Sequence, residues 1–181
     1  MSLIKREDAL LAAIDFQEKL MPAMADPKTL EATAVKLAKG IRALDIPILV
    51  TQQYTKGLGA TIQPIAEALG DFEPIDKTSF SAMGEPAFAE ALDATGKKTV
   101  ILMGIEAHIC VQQTAIDLID RGYGVYVIQD CIASRKESDN LCGQQRMAAA
   151  GAVITTYESV LYELLRGAKA DGFKAVSAIV K

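Results

Sequence analysis

The stretch Lys98-Thr99-Val100-Ile101-Leu102-Met103-Gly104-Ile105-Glu106-Ala107-His108-Ile109-Cys110-Val111 decides the fold. Its apolar, β-branched opening reads as a buried strand, and Gly104 punctuates that strand's end. Val111, Ala115, Leu118 and Ile119 then recur at helical spacing towards Gly122. Cys110 therefore falls where a strand hands over to a helix. Free amides and the positive end of a helix dipole favour an anion there, so the position predicts a thiol with a lowered pKa. Simple packing is the other reading, because free cysteines are often just buried.

Working outward, residues 9–14 are apolar throughout, as in a central parallel strand covered on both faces, and the run stops at Asp15. Asp26-Pro27 reads as a helix start, with Leu30, Ala34, Leu37, Ala38, Ile41 and Leu44 forming its core face. Residues 46–52 make a second strand, 61–69 a short helix, and 72–77 a third strand that Pro74 assigns to a sheet edge. A helix over 85–94 precedes the opening stretch. A fifth strand over 124–130 follows it, then a loop over 131–138 and a helix to about residue 150. A sixth strand over 152–157, a helix over 160–166 capped by Ser159 and a last helix over 172–181 complete the chain. Strands alternate with helices, which predicts a parallel sheet wrapped on both faces. The turn after the first strand has no glycine, so it lacks the dinucleotide fingerprint, and Gly57-Leu58-Gly59 reads as a flexible loop.

The 181 residues suit one domain over 1–181. A net charge of −4 with no basic cluster argues against nucleic acid or an acidic membrane surface as partner. No apolar run approaches a membrane span, and residues 1–8 carry no signal-like segment. Cys110, Cys131 and Cys142 form an odd set without a C-x-x-C, which fits a reducing cytoplasm. His108 is the single histidine, so no metal site is expected.

Ligands of such sheets bind at the carboxyl ends of the strands where the strand order reverses. Asp15, Lys77 and Cys110 each follow a strand end, and in the order 3-2-1-4-5-6 strands one and four are neighbours at that point. A carboxylate there can take the thiol proton while a lysine stabilises both charges. The amides of Glu106 and Cys110 are placed to hold an oxyanion. A Cys110–His108 dyad is the weaker arrangement, because a residue two positions away is poorly placed to approach the thiol.

Four segments carry a resemblance: Ile14-Asp15-Phe16-Gln17, Asp76-Lys77-Thr78-Ser79-Phe80-Ser81, residues 104–115 from Gly104 to Ala115, and residues 130–134. Together they resemble the isochorismatase-like cysteine hydrolases, in the branch of the isochorismatase domain-containing proteins. The resemblance implies a three-layer α/β sandwich with a six-stranded parallel sheet and an Asp15–Lys77–Cys110 triad. It also implies a cis peptide at Ile105–Glu106, no cofactor, a small-molecule substrate and a homo-oligomer. Phe16, Gln53 and Phe80 are the pocket walls expected from it. The metal-binding histidine pattern of the nicotinamidase branch has no counterpart in residues 51–57. Unlike isochorismatase itself, the chain keeps the cysteine. Hydrolysis of a small amide-like C–N bond through a thioester is therefore the expected chemistry. Two other readings are a thiol redox protein, with Cys131 or Cys142 resolving an oxidised Cys110, and a non-catalytic binding subunit.

Overall fold

The computed structural model describes residues 3–181. Six parallel strands, β1 (Ala9–Ile14), β2 (Ile48–Gln53), β3 (Ile75–Lys77), β4 (Thr99–Ile105), β5 (Gly124–Ala133) and β6 (Val153–Thr155), lie in the order β3-β2-β1-β4-β5-β6. The helices are α1 (Pro27–Ala43), the single turn α2 (Thr55–Leu58), α3 (Gln63–Leu69) and α4 (Pro86–Thr95). They continue with α5 (Gln112–Asp120), α6 (Glu137–Ala150), α7 (Tyr157–Leu165) and α8 (Phe173–Val180).

Every residue of β1 is buried, and the period-two geometry of a strand divides them between two cores. Ala9, Leu11 and Ala13 pack with Leu37 and Ile41 of α1 and Val160 and Leu161 of α7. Leu10, Ala12 and Ile14 face the other way, into Phe88 and Leu92 of α4 and Val111, Ala115 and Leu118 around α5. Apolar burial on both faces accounts for the unbroken hydrophobic runs of β1 and β4. The edge strand β3 is only three residues long, which leaves little unpaired ladder for another chain to join.

Asp26 caps α1 as expected, its carboxylate accepting from the Thr29 amide at 3.1 Å. Several boundaries differ from the sequence reading, among them β3, which is Ile75–Lys77 where 72–77 is expected. Thr156, rather than Ser159, caps α7 by accepting from the Ser159 amide at 3.3 Å, so that helix begins three residues earlier. β5 continues through Cys131, Ile132 and Ala133, where a loop was expected. Leu102 of β4 is opposite Val127, yet Gly104 is opposite Ile132, so β5 makes an excursion and then rejoins the sheet. The polar Gln129 and Asp130 of that excursion look like a strand's end in sequence. Residues 57–59 are also less loose than expected, since Gly57 and Leu58 close the α2 turn.

Candidate active site

β1 ends in a left-handed turn at Asp15, whose φ of 54° is tolerated by aspartate better than by most residues. The turn is set by the Asp15 amide donating to the Thr51 carbonyl at 3.2 Å and by the Gln17 amide donating to the Asp15 carbonyl at 2.7 Å. The Asp15 carboxylate is wholly buried. Its Oδ1 accepts from Thr51 Oγ1 at 2.7 Å, and its Oδ2 accepts from Lys77 Nζ at 2.7 Å. Both members of this ion pair have side chains that are 0% exposed. Desolvating two charges is costly, so the pair persists only because its other hydrogen bonds are satisfied. Lys77 Nζ also meets Gln53 Oε1 at 2.7 Å and the Phe80 and Ser79 carbonyls at 3.1 and 3.2 Å.

Gln53 is held in turn by Gln17, a fully buried side chain that brackets the Gln53 backbone. Gln17 Oε1 accepts from the Gln53 amide at 2.6 Å, and its Nε2 donates to the Gln53 carbonyl at 3.0 Å and to the Gly59 carbonyl at 2.7 Å. Sequence reasoning names Gln53 only as a wall and gives Gln17 and Thr51 no role. The signal was a polar glutamine at each of two neighbouring strand ends, where a structural partner is needed for every buried amide.

Beyond β4 the chain winds into a π-helical turn, Ala107–Val111, before α5 begins. The Glu106 carbonyl accepts from the Ile109 amide at 3.0 Å and the Val111 amide at 3.3 Å, passing over the intervening Cys110 amide. The Ile105–Glu106 peptide bond is cis. Cys110 sits in this turn, 7% exposed, close enough to Asp15 and Lys77 for both charges to act on its thiol. Asp15, Lys77 and Cys110 thus come together from three strand ends.

The expectation of an acidic thiol is overturned. Burial, reinforced by the Asp15 carboxylate, pushes the Cys110 thiol up from 9.0 to about 12, against the pull of the Lys77 ammonium. The junction's polarity does not outweigh the loss of solvent around a sulfur next to a carboxylate. At rest the site holds a neutral thiol beside an ion pair. Because the folded value lies above the unfolded one, the thiol's contribution to stability is whole below pH ~9 and is lost as pH rises towards ~12. The stability of the protein relative to Cys110→Ala is therefore expected to fall between about pH 8 and about pH 10.5. Urea unfolding of both proteins at the two pH values measures this, and an unchanged difference refutes it.

A pocket of about 150 Å³ opens onto Cys110, with Gln53, Phe80, Ile105 and Glu106 among the residues lining it. Phe80 is 55% exposed and forms the rim. Phe16, expected in the wall, is instead 1% exposed within the core on the α1 side, because the turn at Asp15 directs the following residue inward. His108 Nδ1 pairs with Ser134 Oγ at 2.8 Å rather than with the thiol. Cys131 packs in the core on the opposite face of the sheet from Cys110, and Cys142 is exposed on α6. The Glu106 carboxylate accepts from Arg135 Nε and from the Arg135 amide, each at 3.1 Å. Among the described residues no cluster of three or more His, Cys, Asp or Glu side chains could hold a metal ion. None of the helices described is long and apolar enough to cross a membrane.

The isochorismatase domain matches residues 8–159 of the chain. The mouse isochorismatase domain-containing protein 2A is 39% identical over 97% of this chain and 84% of its own length. The zebrafish isochorismatase domain-containing protein 1 is 37% identical over 92% of this chain, but only 59% of that longer protein is covered. Among solved structures, the MAR1 ribonuclease of Caenorhabditis elegans superposes with a TM-score of 0.93 at 37% identity, covering 99% of this chain and 92% of that one.

Proposed function

Because this chain belongs to the isochorismatase family, we propose that it is a cysteine hydrolase, opening a small amide-like C–N bond through a thioester on Cys110. The Lys77–Asp15 pair, buried at 2.7 Å beside a Cys110 thiol that lines a pocket, supports this chemistry most directly. Asp15 is the base. It accepts the thiol proton as Sγ bonds to the substrate's carbonyl carbon, which avoids forming a free thiolate in a site that disfavours one. Lys77 holds Asp15 in place and balances the charge as it moves. The amides of Glu106 and Cys110 receive the developing oxyanion.

Asp15 then returns the proton to the leaving nitrogen, and the C–N bond breaks to leave the thioester and an amine or ammonia. In the second half Asp15 deprotonates a water that attacks the thioester carbonyl. The C–S bond breaks, the sulfur regains the proton from Asp15, and a carboxylic acid departs. No cofactor enters either half. We place the enzyme in the cytoplasm as a homo-oligomer acting on a small molecule.

The test is single-turnover mixing with a panel of short amides, followed by intact-mass analysis and an assay of released ammonia. The expected result is an acyl adduct on Cys110 that Cys110→Ala does not form. An absence of both adduct and ammonia across the panel overturns the proposal. Since one structural relative is named a ribonuclease, a single-stranded RNA arm is included. RNA cleavage unaffected by Cys110→Ala also counts against a thioester enzyme.

A further inference from the structure

We propose that the pocket above Cys110 selects by charge as well as size, admitting short, uncharged amides and rejecting anionic ones. This inference rests on the hydrolase reading for its substrate, though not for its test. Leu20, Leu58, Phe80, Ile105 and Ile109 supply the apolar wall. Gln53, Glu106 and Cys110 supply the rest, so no Lys, Arg or His lines the pocket.

Lys77 and Arg135 both pair with carboxylates beside the pocket, and neither lines it. Lys77 has three N–H donors, and four acceptors surround it: Asp15 Oδ2, Gln53 Oε1 and the Ser79 and Phe80 carbonyls. It is 1% exposed and cannot turn to a substrate carboxylate without abandoning Asp15. Arg135, whose side chain is 60% exposed and outside the pocket lining, gives its Nε–H and backbone N–H to the Glu106 carboxylate. That pairing also neutralises the single ionisable carboxylate of the lining, so a cationic substrate gains nothing either. A carboxylate entering this wall would lose its water without finding a counter-charge. Gln53 Nε2 already donates to the Thr78 carbonyl at 3.0 Å, which leaves one of its N–H groups for a neutral oxygen.

Size narrows the class further. An apolar cavity of ~150 Å³ is about large enough for a benzene ring, so the acyl group has roughly six non-hydrogen atoms or fewer. The reaction consumes a neutral amide and water and yields a carboxylate and ammonium. The pocket that accepts the substrate is therefore hostile to the product, which favours its release.

The test alkylates the protein with iodoacetamide or iodoacetate, equal in size and differing in charge, and maps each cysteine by peptide mass. Sγ displaces iodide in either case, and the thiol proton goes to Asp15 or solvent. The exposed Cys142 serves as the internal reference. The rate ratio of iodoacetamide to iodoacetate at Cys110 is expected to exceed that at Cys142 by about tenfold, a partial loss of the interaction energy of one unscreened charge. An excess of about threefold or less, or no alkylation of Cys110 by iodoacetamide, overturns the charge rule. Leu58→Lys, which places an ammonium in the wall, is expected to bring the excess down by at least about fivefold, and an unchanged ratio also overturns it. 3-Methylbutanamide against malonamate, its anionic counterpart with the same six-atom acyl group, then separates the two claims. Selective alkylation without turnover of any amide removes the hydrolase reading alone. Equal turnover of the two amides removes the charge rule alone.

Discussion

Lys77→Met is expected to lower hydrolysis by roughly 10³-fold and to destabilise the fold by about 3–5 kcal/mol. The activity loss follows from the geometry at Nζ. That atom holds Asp15 Oδ2 at 2.7 Å, and without it the base is neither fixed nor compensated as the thiol proton arrives. The stability loss has a separate cause. Four acceptors lose their donor at once, and a carboxylate that is 0% exposed is left without its counterion. The double substitution Asp15→Asn with Lys77→Met removes the orphaned charge, so it should recover a large part of the stability and none of the activity. Urea unfolding and amide turnover of Lys77→Met, Asp15→Asn and the double variant measure the two effects independently. A single variant as stable as the wild protein would mean that the pair is not buried as described.

Gly104→Ala carries the second large effect. Gly104 stands opposite Ile14 in the β1–β4 ladder with φ 143°, a conformation that L side chains rarely adopt. A Cβ there would lie 2.2 Å from the Ile14 carbonyl oxygen and 2.8 Å from its Cα, so backbone and not merely a side chain must move. Overpacking and backbone strain together predict a loss of about 3–5 kcal/mol. Ile14 precedes Asp15, so any folded fraction should also have a displaced base and be largely inactive. Gly122→Ala is the matched control. Its φ is 85°, but nothing lies within 4 Å of the added carbon, so only a strain of about 1 kcal/mol is expected. Equal destabilisation by the two substitutions would refute the close approach.

The reading from sequence succeeds where chemistry repeats along the chain. The apolar runs of β1 and β4 mark strands buried on both faces, and their alternation with helical spacing gives the parallel sheet, whereas its order is not written in that alternation. Asp15 is visible because it ends such a run, whereas Lys77 and Cys110 are visible only as reactive side chains that follow a strand. Gln17 and Thr51 are not visible in this way. Their roles depend on a left-handed turn and a cross-strand distance that no local pattern encodes. The thiol was misjudged for a related reason. The junction between strand and helix can be read from residues, whereas the burial of the sulfur against Asp15 is a property of the assembled cleft. Phe16 shows the same limit, since one backbone turn decides whether a residue faces a pocket or the core.

The ladder that joins Ala9 to Thr99 and the 62 residues between Asp15 and Lys77 bear on how the protein comes into being. Pairings so distant in the chain form late and slowly compared with local ones. While the polypeptide is still emerging from the ribosome, its amino-terminal half already carries the acid and the ammonium but nothing for them to activate. On the proposed chemistry, products ending before Cys110 lack the nucleophile, and reactivity is expected only once β4 has joined β1 and carried Cys110 to the other two.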